Sequence, residues 1–221
     1  MPTTINIKGT IVPDAHAWIY GWLGIPAVAP KVVQSALAAA NGDDVEVLIN
    51  SGGGDVMAGT EIYTMLREYS GKVLIKIQSF AASAAAVISQ ARESEMSPVA
   101  QLMIHNVSSY AEGDNRDMEH MAEVLENANK ALAAAFVAKT GKSEAEILEL
   151  MDRETWFTAE QAVREGFVDR VMFAENAAAP APVRLAASFN SGLLPASVID
   201  KIAREHAQAE YDFMIMEGKI K

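Results

Sequence analysis

Short runs of β-branched and other apolar residues alternate along the chain with longer segments in which apolar positions recur every three or four residues. The short runs are typical of buried strands, and the longer segments are typical of amphipathic helices. We predict strands at Ile5 to Ile11, Val45 to Ile49, Val73 to Ile77, Gln101 to Ile104 and Val168 to Phe173. Because strands and helices alternate, the pattern predicts an α/β fold with parallel strands joined by helical crossovers.

Start and stop signals delimit the helices between and after these strands. Ser143 with Glu146, and Thr158 with Gln161, have the spacing of capping boxes, which satisfy the first free N–H groups of a helix. The predicted helices run from Pro30 to Ala40, from Asp55 to the stop at Gly71, from Arg116 to Lys139, from Glu144 to Met151 and from Ala159 to Glu165.

The composition changes after Phe173 to a run of alanine and proline that is too poor in large apolar groups to build a core. We therefore predict one domain over residues 1–173, a linker or extended arm over 174–194 and a helical extension over 195–221. This last helix either packs on its own subunit or binds a partner. Its apolar side carries Val198, Ile199, Ile202, Phe213 and Met214.

Composition narrows the classes of function. The chain has 221 residues, 50% of them hydrophobic, which suffices for one core of domain size. A net charge of −11 without a basic block argues against nucleic acid as a partner. Cysteine is absent and the histidines lack metal-ligand spacing, so we predict oxygen nucleophiles or carboxylates, with no metal or cofactor. Without a signal pattern or an apolar run of roughly 20 residues, we predict a cytoplasmic protein with no membrane contact.

Ser83 is a single hydroxyl within the alanine-rich run SFAASAAA, directly after a predicted strand. A serine at a strand-to-helix turn either caps the helix or acts as a nucleophile. In the second case, the small neighbouring side chains leave room for a substrate.

The glycine-rich segment INSGGGDVMAG, residues 49–59, also lies between a strand and a helix. Its spacing matches neither a Walker loop nor a dinucleotide fingerprint, which argues against phosphate binding. Backbone N–H groups freed by glycine suit an oxyanion hole, and a plain tight turn explains the segment equally simply.

A serine nucleophile requires a base, and His105 is the best placed of the four histidines. It ends the predicted strand Gln101 to Ile104, and catalytic groups collect at the carboxyl ends of parallel strands. Asp152 or Glu154 could orient the imidazole. Because residues two apart in an extended segment point to opposite sides, only one of the two carboxylates should reach it.

Four motifs occur in a characteristic order: INSGGGDVMAGTEIY, SFAASAAA, MIHN and RETWFTAEQAVREGFVDRV. Together they resemble the proteolytic subunit of the Clp protease family over about residues 5–173. The resemblance implies that Ser83 is the nucleophile, His105 the general base, and Gly53 with Ala84 the oxyanion donors. It places the acid at Glu154, where the family usually has aspartate, and leaves Asp152 as the fallback.

The same resemblance implies a crotonase-like spiral of βαβ units, with the helix Arg116 to Lys139 as a protruding handle between rings. It implies a serine endopeptidase acting on proteins or peptides as a homo-oligomer, in heptameric rings that stack in pairs. The chain is similar to the head maturation proteases of bacteriophages and prophages in three features: a first strand that begins almost at once, the ETWFTAEQA sequence and the C-terminal extension. Substrates would then be capsid or scaffold proteins, and an ATPase partner becomes doubtful.

Three alternatives remain open from the sequence. The first is a housekeeping subunit of an ATP-dependent Clp protease. The second is a crotonase-type acyl-CoA hydratase or isomerase, which shares the spiral fold but works through carboxylates. The third is a catalytically silent ring subunit or capsid scaffold component.

Overall fold

The computed structural model describes residues 2–173 and 192–216, and the predicted linker falls largely outside them. Most strands within these ranges belong to one sheet, and a separate two-stranded sheet lies beside it. The strands are β1 Thr3–Lys8, β2 Thr10–Ile11, β3 Ala27–Val28, β4 Val45–Ser51, β5 Val73–Ala82, β6 Glu93–Met96, β7 Gln101–Ile104, β8 Thr155–Thr158 and β9 Arg170–Val171.

Helices connect the strands and cover the sheet. The α-helices are α1 Ala17–Trp22, α2 Pro30–Ala40, α3 Val56–Glu68, α4 Ala84–Ser89, α5 Asn115–Thr140, α6 Glu144–Asp152, α7 Ala159–Arg164 and α8 Ala196–Met216. A short 3-10 helix, Asp14–His16, precedes α1. Both predicted capping boxes are present, at Ser143 and at Thr158. No helix among the described residues has the length and apolar character needed to cross a bilayer.

The main sheet is parallel in the order β1-β4-β5-β6-β9, as the α/β pattern predicted. Strand β5 changes neighbour along its length: its first half pairs with β6 and its last three residues pair with β7. Strand β8 returns antiparallel beside β7. The carboxyl ends of β5 and β7 are therefore adjacent, with Ala82 opposite Met103, and the residues that follow each strand must meet.

The core lies between the sheet and its helices, where the inward side chains of the parallel strands are fully buried, among them Ile7, Ile49, Ile75 and Ile77. A second, smaller cluster forms around Tyr20 of α1. Ile199 of α8 packs into this second cluster, so the C-terminal helix contacts its own subunit, one of the two alternatives left open for it. In α5, burial begins only at Leu132, and the preceding turns stand away from the core as a protruding handle.

Several boundaries differ from the sequence prediction. The predicted strand Ile5 to Ile11 is broken at Gly9, which has φ of 79°. A Cβ on Gly9 would lie 2.1 Å from the Pro26 carbonyl oxygen, so only glycine permits this close approach. Beyond the break, β2 pairs with β3 and leaves the main sheet.

Other differences arise from short or less apolar segments. Strand β5 continues to Ala82, well past the predicted end at Ile77, because its last three residues, Phe80 to Ala82, pair with β7. The predicted strand Val168 to Phe173 is reduced to β9, Arg170–Val171, and the strands β6 and β8 were not predicted.

Candidate active site

Ser83 occupies the turn between β5 and α4 in a conformation that non-glycine residues rarely adopt, with φ of 55° and ψ of −125°. Its backbone N–H donates to the Met103 carbonyl at 3.0 Å, which fixes the turn against β7. Although Ser83 is in the N-cap position of α4, its side chain makes no capping bond. Its Oγ lies instead 2.8 Å from Nε2 of His105, so the helix-capping alternative is wrong.

His105 follows β7 and is partly buried beside Ser83. Burial lowers the pKa of its imidazole, and the negative charge of Glu154 offsets part of that effect. The imidazole is therefore neutral around neutral pH. In the tautomer that leaves Nε2 unprotonated, the Ser83 hydroxyl donates to it, which is the arrangement that a general base requires.

The two candidate carboxylates have different partners. The pairing of Ile104 with Thr155 in the antiparallel ladder brings the residue before β8, Glu154, next to His105. Glu154 has a positive φ of 48° and accepts a hydrogen bond from the Trp156 indole at 3.2 Å. Asp152 accepts a hydrogen bond from the Asn106 amide at 2.7 Å. Glu154 is thus the carboxylate whose charge acts on the imidazole.

The glycine segment lies directly against the nucleophile turn. A Cβ on Gly53, which has φ of 92°, would be 2.7 Å from Cβ of Ser83 and 3.0 Å from the Ala84 nitrogen. The Gly53 N–H, however, donates to Ser51 Oγ at 3.0 Å. The role of Gly53 as an oxyanion donor, like that of Ala84, stays a prediction. The next glycine, Gly54, lines the cleft beside Ser83.

The alanines of the nucleophile segment also pack the short helix α4 against its neighbours. From residues 79–87, Ser83 and Val87 line the cleft, whereas Ala85 and Ala86 are fully buried. The small side chain of Ala84 lets α4 pack closely on α3, where a Cβ on Gly59 would lie 2.8 Å from the Cβ of Ala84. The alanines therefore help to fix the position of Ser83 through the packing of α4 on α3, on the side away from the cleft.

The cleft beside Ser83 and His105 has a cavity volume of about 70 Å³. Its apolar side is formed by Val87, Ile104, Leu132, Phe136 and Leu193. Leu193 comes from the C-terminal segment and was not predicted, because its position in a polar, alanine- and proline-rich stretch gives no local signal for a cleft. Across residues 2–173 and 192–216, no group of three or more acidic or histidine side chains could hold a metal ion.

A serine hydroxyl bonded to an imidazole beside a small cleft, with a carboxylate close enough for its charge to act on that imidazole, defines a serine hydrolase type of site. Comparison with known proteins identifies the family. Residues 27–175 match the Clp protease family model, and the chain belongs to the Clp protease family of serine-type endopeptidases. This confirms the resemblance at the family level and argues against the crotonase-type acyl-CoA alternative.

Two relatives and one solved structure illustrate the similarity. The ATP-dependent Clp protease proteolytic subunit 1 of Streptomyces avermitilis is 39% identical over 132 residues, which are 58% of this chain and 61% of that protein. The proteolytic subunit 3 of Rhizobium meliloti is 32% identical over 177 residues, 78% of this chain and 90% of that protein. A mutant of ClpP1 from Listeria monocytogenes superposes with a TM-score of 0.63 at 22% identity, covering 78% of this chain and 92% of that one. The fold is therefore the mixed α/β fold of ClpP.

Proposed function

We propose that this chain is a serine endopeptidase in which Ser83 is the nucleophile, His105 the general base and Glu154 the acid. The observation that carries the proposal is the 2.8 Å approach of Ser83 Oγ to His105 Nε2 in the cleft that both residues line. The strained backbone of Ser83 supports it, because such strain persists where a fold holds a reactive group in a fixed position.

The reaction is acyl transfer. Ser83 Oγ attacks the carbonyl carbon of the scissile peptide while its proton passes to Nε2 of His105. The negative charge of Glu154 stabilises the imidazolium that forms. The tetrahedral oxyanion accepts hydrogen bonds from backbone N–H groups, for which we propose Ala84 and Gly53, with the neighbouring Gly54 as the alternative to Gly53. Collapse transfers the Nε2 proton to the leaving amine, and a water activated by His105 then hydrolyses the acyl-enzyme.

The direct test is Ser83→Ala. We expect this variant to lose peptide hydrolysis and labelling by a fluorophosphonate while it keeps its fold and assembly state. Ser109→Ala, which removes an exposed hydroxyl outside the cleft, serves as the control and should behave like the wild type. Undiminished turnover in Ser83→Ala would refute the proposal, and so would labelling that persists in it.

Members of the Clp protease family form oligomeric rings that handle protein substrates, and we propose a homo-oligomeric ring here, either a heptamer or two stacked heptamers. The protruding turns of α5 support this proposal, because Met118 and Val124 are exposed there although they are apolar. Native mass spectrometry of the full chain measures the ring directly. A monomer at micromolar concentration would contradict the proposal.

For the biological setting, we propose head maturation in a bacteriophage or prophage, in the bacterial cytoplasm or inside a prohead, with capsid or scaffold proteins as substrates. Two observations support this choice: residues 192–216 lie beyond the region that matches the family, and α8 packs on the second cluster, around Tyr20. The alternative, an ATP-dependent housekeeping subunit, agrees with the names of the two relatives.

The two settings differ in their need for an unfoldase. A maturation protease should cleave unfolded casein alone and gain nothing from an added Clp-type ATPase with ATP. A housekeeping subunit should degrade a folded, tagged fluorescent protein only when that ATPase and ATP are present. ATP-dependent degradation of the folded protein would overturn the phage assignment and leave the endopeptidase proposal intact.

A further inference from the structure

One wall of the cleft comes from a segment that lies outside the matched family region. Leu193 lines the cleft together with Ser83 and His105, although it lies 110 positions after Ser83 in the sequence. The C-terminal segment thus reaches the immediate surroundings of the nucleophile, in addition to packing on the surface of its own subunit.

The segment is held on both sides of Leu193. On one side, Gly192 lies so close to Thr10 that a Cβ on the glycine would be 2.7 Å from the threonine Oγ1. On the other side, the Leu194 N–H donates to the buried Tyr20 hydroxyl at 2.8 Å.

The helix that follows strengthens this attachment. Ile199 is 9% exposed and packs with Val12 and Ile19 in the second cluster, and the rings of Trp18 and His206 lie 4.6 Å apart. A side chain that lines a cleft from such a fixed backbone has a defined position, as a specificity pocket requires.

Leu193 forms a wall of the cleft and does not fill it. The residue is 40% exposed, and a cavity of about 70 Å³ remains in the cleft that it lines together with Leu132 and Phe136 of α5. An apolar cavity of roughly 150 Å³ holds benzene. The space beside Ser83 is about half of that, which suits an aliphatic side chain better than an aromatic ring.

We infer that Leu193 is a specificity-determining residue that narrows the subsite beside Ser83, so that the enzyme prefers leucine or methionine to phenylalanine at the residue whose carbonyl is attacked. This inference rests on the proposed endopeptidase function. The occupant of the cleft is a substrate side chain, and the C-terminal segment supplies the wall that limits its size.

The test compares two fluorogenic peptides that differ only in leucine or phenylalanine before the scissile bond. In Leu193→Ala, the ratio of kcat/KM for phenylalanine over leucine should rise by about tenfold or more, the usual effect of resizing an apolar pocket. Leu23→Ala is the matched control, because Leu23 has the same 40% exposure and follows α1 outside the cleft. It should leave the ratio unchanged.

Three outcomes would overturn the inference. An unchanged ratio would exclude a role in specificity. An equal rise for both peptides would mean that the leucine merely obstructs the cleft, and an equal fall would mean that it only supports the fold.

A binding experiment separates failure of this inference from failure of the proposed function. In the Ser83→Ala background, calorimetry measures the affinity of product peptides that end in leucine or phenylalanine. Adding Leu193→Ala should shift the affinity ratio in the same direction as the kinetic ratio. If the wild type neither hydrolyses peptides nor reacts with a fluorophosphonate, the endopeptidase proposal fails, while the binding ratio still decides whether Leu193 selects the side chain.

Discussion

Replacing Gly59 with alanine tests whether α3 supports the nucleophile turn from behind. Gly59 lies in α3, where the added Cβ would be 2.8 Å from the Cβ of Ala84. Ala84 follows Ser83 and is our proposed source of an oxyanion N–H. The substitution therefore acts on the catalytic groups through one methyl contact, without removing any of them.

The structure sets the size of the effect. Carbon atoms in contact prefer a separation of about 3.5–4.0 Å, so α3 and α4 must separate by roughly 1 Å. Overpacking of this kind costs about 1–3 kcal/mol, and alanine in place of glycine inside a helix returns up to ~1 kcal/mol. The net loss of unfolding free energy is then about 0–3 kcal/mol, which leaves most of the protein folded. A displacement of about 1 Å at the reacting groups costs on the order of 10²-fold in rate.

We therefore expect Gly59→Ala to lower kcat by about 10²-fold while urea denaturation shows a mostly folded protein. Gly21→Ala is the control, because Gly21 lies in α1 and an added Cβ there meets no atom within 4 Å. That variant should retain full activity with equal or higher stability. If kcat of folded Gly59→Ala stays within about twofold of the wild type, the turn does not depend on this contact and the reasoning fails.

Two further predictions concern charge. Glu154→Gln should lower kcat/KM by about 10²–10⁴-fold; because the carboxylate raises the pKa of His105, its loss should also move the acid limb of the pH–rate profile to lower pH. Asp152→Asn should do little, since asparagine retains an oxygen for the Asn106 amide, and the reverse pattern would reassign the acid. The second prediction concerns Asp169. Burial alone would raise the pKa of its carboxyl group, but hydrogen bonds from Lys139 and from the Ser94 backbone N–H leave that pKa below its usual value. Its stabilisation is therefore present above the unfolded-state pKa and is lost as the pH falls through the folded-state pKa. Asp169→Asn should lower the free energy of unfolding by about 1 kcal/mol near pH 7 and by much less near pH 3. Urea denaturation of the wild type and the variant at both pH values measures this, and an equal difference between their midpoints at the two pH values would contradict the argument.

Local chemistry explains where prediction from the sequence succeeds. Helix α2 begins at Pro30 and ends at Ala40 as predicted, because proline suits the first turn and Asn41 adopts the left-handed conformation that ends the helix. Residues that meet across the sheet are harder to predict. Strand β8 has only four residues and pairs antiparallel in an otherwise parallel neighbourhood, and its local sequence does not encode that partner.

The candidate acid of the site shows the same limit of prediction from the sequence, because its position depends on the pairing of two strands. The sequence offered Asp152 and Glu154, and side-chain alternation indicated only that one of them could face the histidine. The choice depends on the register of β8 against β7, where Thr155 lies opposite Ile104. A shift of one residue would exchange the faces of the strand and remove Glu154 from the imidazole. Which carboxylate lies near the imidazole is therefore a property of this pairing, which forms only when residues about fifty positions apart come together.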